Sequence, residues 1–349
     1  MNREHVIITF LVLLLGFMPM IILLYLSLSN DITIYSYNKK YVYSSEMHVS
    51  QPAAVAYDIN HDRIIVADSD NRLLLYSKDG SLLNESEISV NKLPKIRLAY
   101  DDRNDRIILC DSNSRVIQIF NEDGMLINMF NTLNYNSSIP SSISYNRDKD
   151  AILIGWLGAS EIHMIDSNGE LVGMFPLPYH GREPKLASLR WAEAYDIVYD
   201  PNNDRIIVVD KHGSTTSVLI FDDVGRLLYI IPPYKYYIPL KVEYDTKSDS
   251  ILVLVYNIKS DATTGEIVVY DKDGAFSFIA YSGLNGDTHD IAYDPNNDRI
   301  ILADTRNNKV VILSNSYEIH ISPSLLTIMI VPIAISVIII LRFNRVHIP

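Results

Sequence analysis

A chain of 349 residues with 48% hydrophobic side chains and a formal net charge of −12 can bury one large core and is too apolar for a disordered protein. The acidic balance, with no basic stripe interleaved with aromatics, argues against nucleic acid as a partner. A single cysteine, Cys110, excludes an intrachain disulfide, so cysteine usage says nothing about the compartment.

In chain order the first element is Val6 to Leu28, 23 uncharged and mostly apolar residues, enough to span a bilayer as a helix. A cleaved signal peptide is the alternative, with Ser27 and Ser29 as the small residues at −3 and −1 of a cut. Asp31 to Ser44 (DITIYSYNKKYVYS) then alternates like a strand, a turn and a second strand.

A repeated unit follows. YDPNNDRIIVVD (Tyr199 to Asp210) returns as YDPNNDRIILAD (Tyr293 to Asp304), with weaker copies from Tyr57 and Tyr100 and degenerate ones from Tyr145 and Tyr244. Each copy is an apolar run ending in Tyr, a polar turn and a β-branched run. Asp, Asn and Pro set the turn, and Arg-Ile-Ile-Val is too short for a helix. The second half of the unit, for example RLLLYSKDGSLL from Arg72, reads as a hairpin about an Asp-Gly turn. The residues after each Tyr are Asp58, Asp101, Asn146, Asp200, Asp245 and Asp294. Their intervals of 43, 45, 54, 45 and 49 residues suit one four-stranded blade each, with strands a to d.

The fold class expected is therefore all-β, a six-bladed β-propeller, with a seven-bladed or irregular closure as the alternative. A ring normally joins strands from both chain ends, because an open one exposes its edges. Both Asp31–Ser44 and Lys309–Ser322 are available, and the sequence leaves open which completes the last blade. Ser324 to Leu341 is a second apolar stretch, of 18 residues, followed by Arg342 and Arg345, which places the C-terminus in the cytoplasm and the propeller outside. The division is an anchor or signal peptide at 1–30, the propeller at 31–322, and a transmembrane helix with a basic tail at 323–349.

Strand direction alternates within a blade, so the b–c and d–a connections share one face, the loop face, and the a–b and c–d turns share the other, the turn face. Binding function on a rigid scaffold lies in variable loops. The loop face carries the longest ones, about Gly173 to Glu193, Tyr229 to Pro239 and Asn257 to Gly265. Tyr179, His180, Arg182, Tyr234 and Tyr236 are the partner-binding candidates there, for a protein or glycan. With Asp31 read as the start of a strand c and Tyr317 to Ser322 as a strand d, both anchors would attach on the loop face, which would then lie toward the membrane.

The unit PAAVAYDINHDRIIVADSDNRLLLYSKDGSLL, Pro52 to Leu83, resembles the NHL repeat and the related YVTN-type surface propellers. Blades three and five depart from the pattern, with Gly155-Trp156 and Leu254-Val255 where Ala-Asp is expected. The resemblance implies an interaction module: a binding platform, scaffold or extracellular sensor. Some relatives are metal-dependent enzymes of lyase or lactonase type with an axial site, and that is the alternative function. None of their catalytic motifs carries over, and no cofactor is expected.

Asp68, Asp111, Asp210 and Asp304 recur at one place in four blades, which repeated structure explains better than chemistry: a carboxylate accepting loop N–H groups. Asp200, Asn202, Asp204 and Asp294, Asn296, Asp298 lack the ligand loop of a calcium site and read as turn formers. The non-repeating polar set stands four residues before each mark: Ala54, Arg97, Ser142, Asp196, Lys241 and Asp290. Arg97, Asp196, Lys241 and Asp290, with His289, are the candidate ligand-binding residues of a channel mouth. Mutual salt bridging is their bland explanation. Scattered histidines (His61, His163, His180, His212, His289) give no zinc spacing. Asn84 and Asn136 head possible glycosylation sequons beside d–a connections. Cys110 aligns with Ala67, Val209 and Ala303 and is expected to be a small buried strand residue.

Overall fold

The computed structural model describes residues 35–88, 96–135, 138–178, 192–212, 215–232, 237–257, 264–285 and 288–321. Both apolar stretches, 6–28 and 324–341, lie outside them, and no helix among the described residues is long and apolar enough to cross a membrane. Contacts divide the chain at Lys39/Lys40 and Asn315/Ser316, and Lys40–Asn315 is the ring.

Twenty-four strands make six four-stranded sheets. The chain opens with β1 (Tyr35–His48). Blade one is β2 (Pro52–Asp58), β3 (Arg63–Asp68), β4 (Arg72–Ser77) and β5 (Leu82–Glu87). Blade two is β6 (Ile96–Asp101), β7 (Arg106–Asp111), β8 (Val116–Asn121) and β9 (Leu126–Asn131). Blade three is β10 (Ile139–Asn146), β11 (Ala151–Leu157), β12 (Glu161–Ile165) and β13 (Leu171–Pro176). Blade four is β14 (Ala192–Asp200), β15 (Arg205–His212), β16 (Thr215–Asp222) and β17 (Leu227–Ile231). Blade five is β18 (Tyr237–Asp245), β19 (Ser250–Asn257), β20 (Thr264–Asp271) and β21 (Phe276–Asn285). Blade six takes β22 (Thr288–Asp294), β23 (Arg299–Asp304) and β24 (Lys309–Ile321), and β1 lies outermost. Among the described residues the one helix is a single 3-10 turn, Thr132–Asn134. The all-β, six-bladed propeller expected from the repeat spacing is the fold observed.

The two terminal hairpins were misread. Asp31–Ser44 was expected to hold a strand c and a strand d, but Tyr35–His48 is one continuous strand and supplies only strand d of blade six. Lys309–Ile321 is likewise one strand, the strand c of that blade. Alternation of polar and apolar residues persists through a long strand as well as through a hairpin, and neither segment has the Gly that marks the c–d turns elsewhere. The c–d turns of the other five blades all place Gly at positive φ: Gly80, Gly124, Gly169, Gly225 and Gly274.

Ring closure is antiparallel. Val49 N donates to Asn308 O at 3.0 Å at the loop-face end. At the other end the Tyr41 hydroxyl donates to Asp298, and Asn315 N donates to Asp298 O. The chain therefore enters the ring at Lys40 and leaves it at Asn315 on the turn face. This reverses the attachment expected from the sequence.

Packing between blades is uniform. First strands touch one another all the way round, from β2 to β6, β10, β14, β18, β22 and back to β2. Six apolar clusters fill the six gaps, one per junction. In the gap between blades six and one, Val55 and Tyr57 of β2 pack on Ala292 and Ala303 of blade six. In the next, Ala54 and Ala56 of β2 receive Ile96 and Leu98 of β6. The inner strand β2 thus presents small residues to one neighbour and large ones to the other. Gly155 is tied to such a junction, since a Cβ there would collide with Ser142 Oγ and lie 2.6 Å from Ala194 Cβ. This explains one of the two places where blade three departs from the repeat. The other, Trp156, is fully buried and meets His163 edge to face at 5.2 Å.

Tyr41 is the buried clasp of the closed ring, donating to Asp245 of blade five and Asp298 of blade six. Tyr41→Phe should keep the ring packing and lose these bonds, costing about 1–2 kcal/mol. Thermal unfolding followed by circular dichroism should show a fall in Tm of roughly 2–8 °C. An unchanged Tm would remove the clasp from the account of closure.

Candidate functional site

The inner strands surround an axial chamber of about 380 Å³. One end is a polar layer that includes Arg97, Asp196 and Asp290; the other is framed by the a–b turns, through Ile59, Asp102, Arg147, Pro201, Thr246 and Pro295. The chamber therefore reaches the turn face.

The polar layer was legible as the set four residues before each mark. Lys241 Nζ lies 3.2 Å from Asp196 Oδ1 and 3.1 Å from Asp290 Oδ1, so one buried ammonium joins blades four, five and six. The remaining carboxylate oxygens accept backbone N–H groups of the following blades: Val242 N to Asp196 Oδ2 at 2.9 Å, and Val55 N to Asp290 Oδ2 at 3.0 Å. Burial raises the pKa of Asp196, which Lys241 opposes. Among the described residues Arg97 makes no salt bridge to these acids, although its charge also opposes the rise at Asp196. Its Nε and Nη1 bond the carbonyls of Ser141 and Ile96, both at 2.8 Å. Salt bridging thus holds for Lys241 and the two acids but not for Arg97. His289 is placed on β22 beside Asp290, but its side chain is outside the described residues.

One chamber residue was missed by the sequence reading. Two positions before each mark the inner strands carry Ala56, Ala99, Ser144, Val198, Glu243 and Ala292, and all but Glu243 are small and neutral. The signal was available in the same column arithmetic that found Asp196 and Lys241, applied one register layer further along. Glu243 Oε1 accepts Tyr244 N at 2.9 Å. Burial pushes its carboxyl up to about 8, with Asp196 and Asp290 adding to the shift. It lines the chamber half-buried, in a ring of small side chains.

The remaining candidates fall elsewhere. Tyr179, His180, Arg182, Tyr234, Tyr236 and Asn136 lie outside the described residues. Asn84 lies in strand β5 rather than beside the d–a connection, and its amide donates to Asp123 O at 2.6 Å. Cys110 is fully buried, and burial pushes its thiol up to about 12. No group of three or more His, Cys, Asp or Glu suited to a metal ion occurs among the described residues. The strand-end aspartates behave as expected in three blades: Asp68 accepts Asp70 N and Arg72 N, Asp111 accepts Asn113 N, and Asp304 accepts Asn307 N.

Asp210 breaks the pattern. Strands β15 and β16 run on past it, pairing Lys211 with Thr216 and His212 with Thr215, so the tight b–c turn that should donate to it is displaced. Among the described residues its Oδ1 has no hydrogen-bond partner, and burial raises its carboxyl to about 7, opposed by a bond from the Glu193 backbone.

The chain matches no protein-family model and none of the curated proteins.

Two stability predictions follow from these charges. Lys241→Met leaves Asp196 and Asp290 buried without a counter-charge, so it should cost about 3–5 kcal/mol at pH 7 by chemical denaturation. A loss below 1 kcal/mol would mean the network is solvated. For Asp210 the folded pKa is raised, so its stabilising neutral form is complete below about pH 4 and lost as pH rises through 7. Asp210→Asn should therefore raise Tm more at pH 8 than at pH 5. Equal changes at both pH values would show that Asp210 is ordinary.

Proposed function

We propose that this protein is a membrane-anchored, extracytoplasmic binding propeller of the NHL or YVTN type, whose axial chamber takes a small ligand from the membrane side. The observation that carries the reading is the coincidence of three features on one face: the chain enters the ring there, leaves it there, and the chamber reaches the surface there. Only 11 residues (29–39) separate the first apolar stretch from Lys40, and 8 (316–323) separate Asn315 from the second. At about 3.3–3.6 Å per residue the shorter tether reaches at most about 29 Å. That is too short to cover both the depth and the radius of a ring, so the turn face is the membrane-proximal one.

Apolar length in both stretches and the arginines after the second support the anchoring and the outward placement. The β13–β14 and β17–β18 connections, whose sequence carries Tyr179, His180, Arg182, Tyr234 and Tyr236, join strand ends on the other face and are the proposed site for a protein or glycan partner.

Labelling decides the orientation. Cys110 is buried, so a thiol reagent reports on introduced cysteines alone. Asp70→Cys on the loop face should react fast in intact membranes, and Lys247→Cys on the turn face at least several-fold more slowly. The two rates should converge in detergent. Faster reaction at 247 in membranes would overturn the placement.

A further inference from the structure

We propose that the axial chamber binds a small organic monocation and that Glu243 is its counter-charge. The inference rests on the chamber being a ligand site, and not on which face meets the membrane.

The first argument is that repetition does not explain Glu243. The other five blades fill this layer with Ala56, Ala99, Ser144, Val198 and Ala292, and the blade-to-blade packing works with them. Among the described residues no cation lies within ion-pair distance of the Glu243 carboxyl, and its one hydrogen bond is to the Tyr244 N–H. A half-buried carboxyl with a single backbone donor, facing two other acids, costs free energy. The fold gains nothing from it.

The second argument is the charge inventory. Lys241 is satisfied by Asp196 and Asp290, Arg147 lies 3.1 Å from Asp102, and Arg97 is held by two carbonyls. The charged groups facing Glu243 are Lys241 on its own strand, Asp196 on β14 and Asp290 on β22. Those two acids are balanced by Lys241 and by Arg97, whose charge acts on Asp196, and Asp102 is paired with Arg147, so Glu243 is the one chamber-lining acid without a cation of its own among the described residues. The tyrosines of all six inner strands line the turn-face half of the chamber, and aromatic rings are compatible with a cation as well as with apolar substituents. A chamber of about 380 Å³ is within the range of small-molecule sites.

With its pKa raised to about 8 by desolvation and the neighbouring acids, Glu243 is mainly protonated near neutral pH in the ligand-free protein. When an alkylammonium enters, the carboxyl O–H bond breaks, its proton goes to solvent, and the carboxylate pairs with the guest. Binding below pH 8 therefore releases up to one proton per ligand, and affinity rises roughly tenfold per pH unit until Glu243 is ionised in the free protein.

The probe is butylammonium, titrated calorimetrically into the full chain in detergent at pH 6.5 and 8.5, in two buffers of different ionisation enthalpy. Tighter binding at pH 8.5 and proton release at pH 6.5 are expected. Glu243→Gln keeps an oxygen for the Tyr244 N–H; it should abolish the release and weaken binding at pH 8.5 at least tenfold. The neutral isostere n-butylmethane (pentane) or n-butanol should bind without pH dependence or proton release. Unaltered butylammonium binding by the Gln variant would overturn the proposal. So would butanol binding as tightly as butylammonium at pH 8.5, which would leave the chamber a site but for a neutral guest. Absence of binding by either probe at millimolar concentration would overturn the chamber reading as well. Displacement of bound butylammonium by free ethanolamine would support a soluble amine. Displacement by phosphatidylethanolamine vesicles and not by ethanolamine would support a lipid headgroup.

Discussion

The structure depends on a hydrogen-bonded belt built from the a–b turns. In every blade the Tyr that ends the inner strand donates to an Asp five residues later: Tyr57 to Asp62, Tyr100 to Asp105, Tyr145 to Asp150, Tyr199 to Asp204, Tyr244 to Asp249 and Tyr293 to Asp298. All six aspartates sit at φ between 50° and 55°, a left-handed conformation that Asp tolerates better than most residues. The belt also passes from blade to blade. Asn60 donates to Asp105, Asn104 to Asp150, Asn203 to Asp249 and Asn297 to Asp62, while Tyr199 reaches Asp148 and Tyr41 spans Asp245 and Asp298. All six junctions are bridged. A second set runs outside it: Arg63, Arg205 and Arg299 each bond a carbonyl in the c–d turn of the next blade, at Glu122, Lys272 and Lys78.

This belt is what the repeat motif encodes, and it explains why the motif was so legible. Tyr, Asp, Asn, Asp and Arg each hold a fixed place in one turn, so their chemistry recurs in sequence as faithfully as in space. Blade number and the inner-strand register were therefore readable from the marks alone. The turn role given to Asp200 and Asp294 is likewise what the bonds from Asn202 N, Asn203 N and Asn297 N show. What sequence did not show was anything set by non-repeating contacts. The terminal strands were misassigned because β1 has no repeat partner preceding it to fix its place, and alternation alone does not separate a 14-residue strand from a hairpin. Arg97 was grouped with the acids by its column, yet a guanidinium on a longer stem found carbonyls at its own blade and the next.

Non-repeating residues have few places to go in such a ring. On the inner strands the large side chains and the tyrosines are committed to junction packing, and the mark aspartates to the turns. The layers four and two residues before each mark pack into junctions in several blades, as Ala54 and Ala56 do, yet they are the inner-strand positions whose polarity differs from blade to blade. Polar identity has collected there: Lys241, Asp196 and Asp290 in one layer, and Glu243 in the other. The first three neutralise one another as far as a single ammonium can and knit three blades together. Glu243 has no such partner, which separates a structural set from a functional candidate within a few ångströms of wall.

Closure by β1 couples this chamber to the chain ends. The clasp bonds of Tyr41 fall on Asp245, the mark residue two positions beyond Glu243 on β18, and on Asp298, which also receives Tyr293 of the facing inner strand. Strain applied to the strand that enters the ring is therefore passed first to the blade five–six junction, the wall that carries Glu243. Blade one meets β1 directly, through Met47 and Val49, whereas blades two to four close within their own sequence and feel such a pull only through their neighbours. On the proposed placement the entering strand is also the tether, so the part of the chamber wall with the distinctive acid is the part mechanically nearest to the membrane. A propeller closed within each blade would lack that coupling; this one acquires it from using its first strand last.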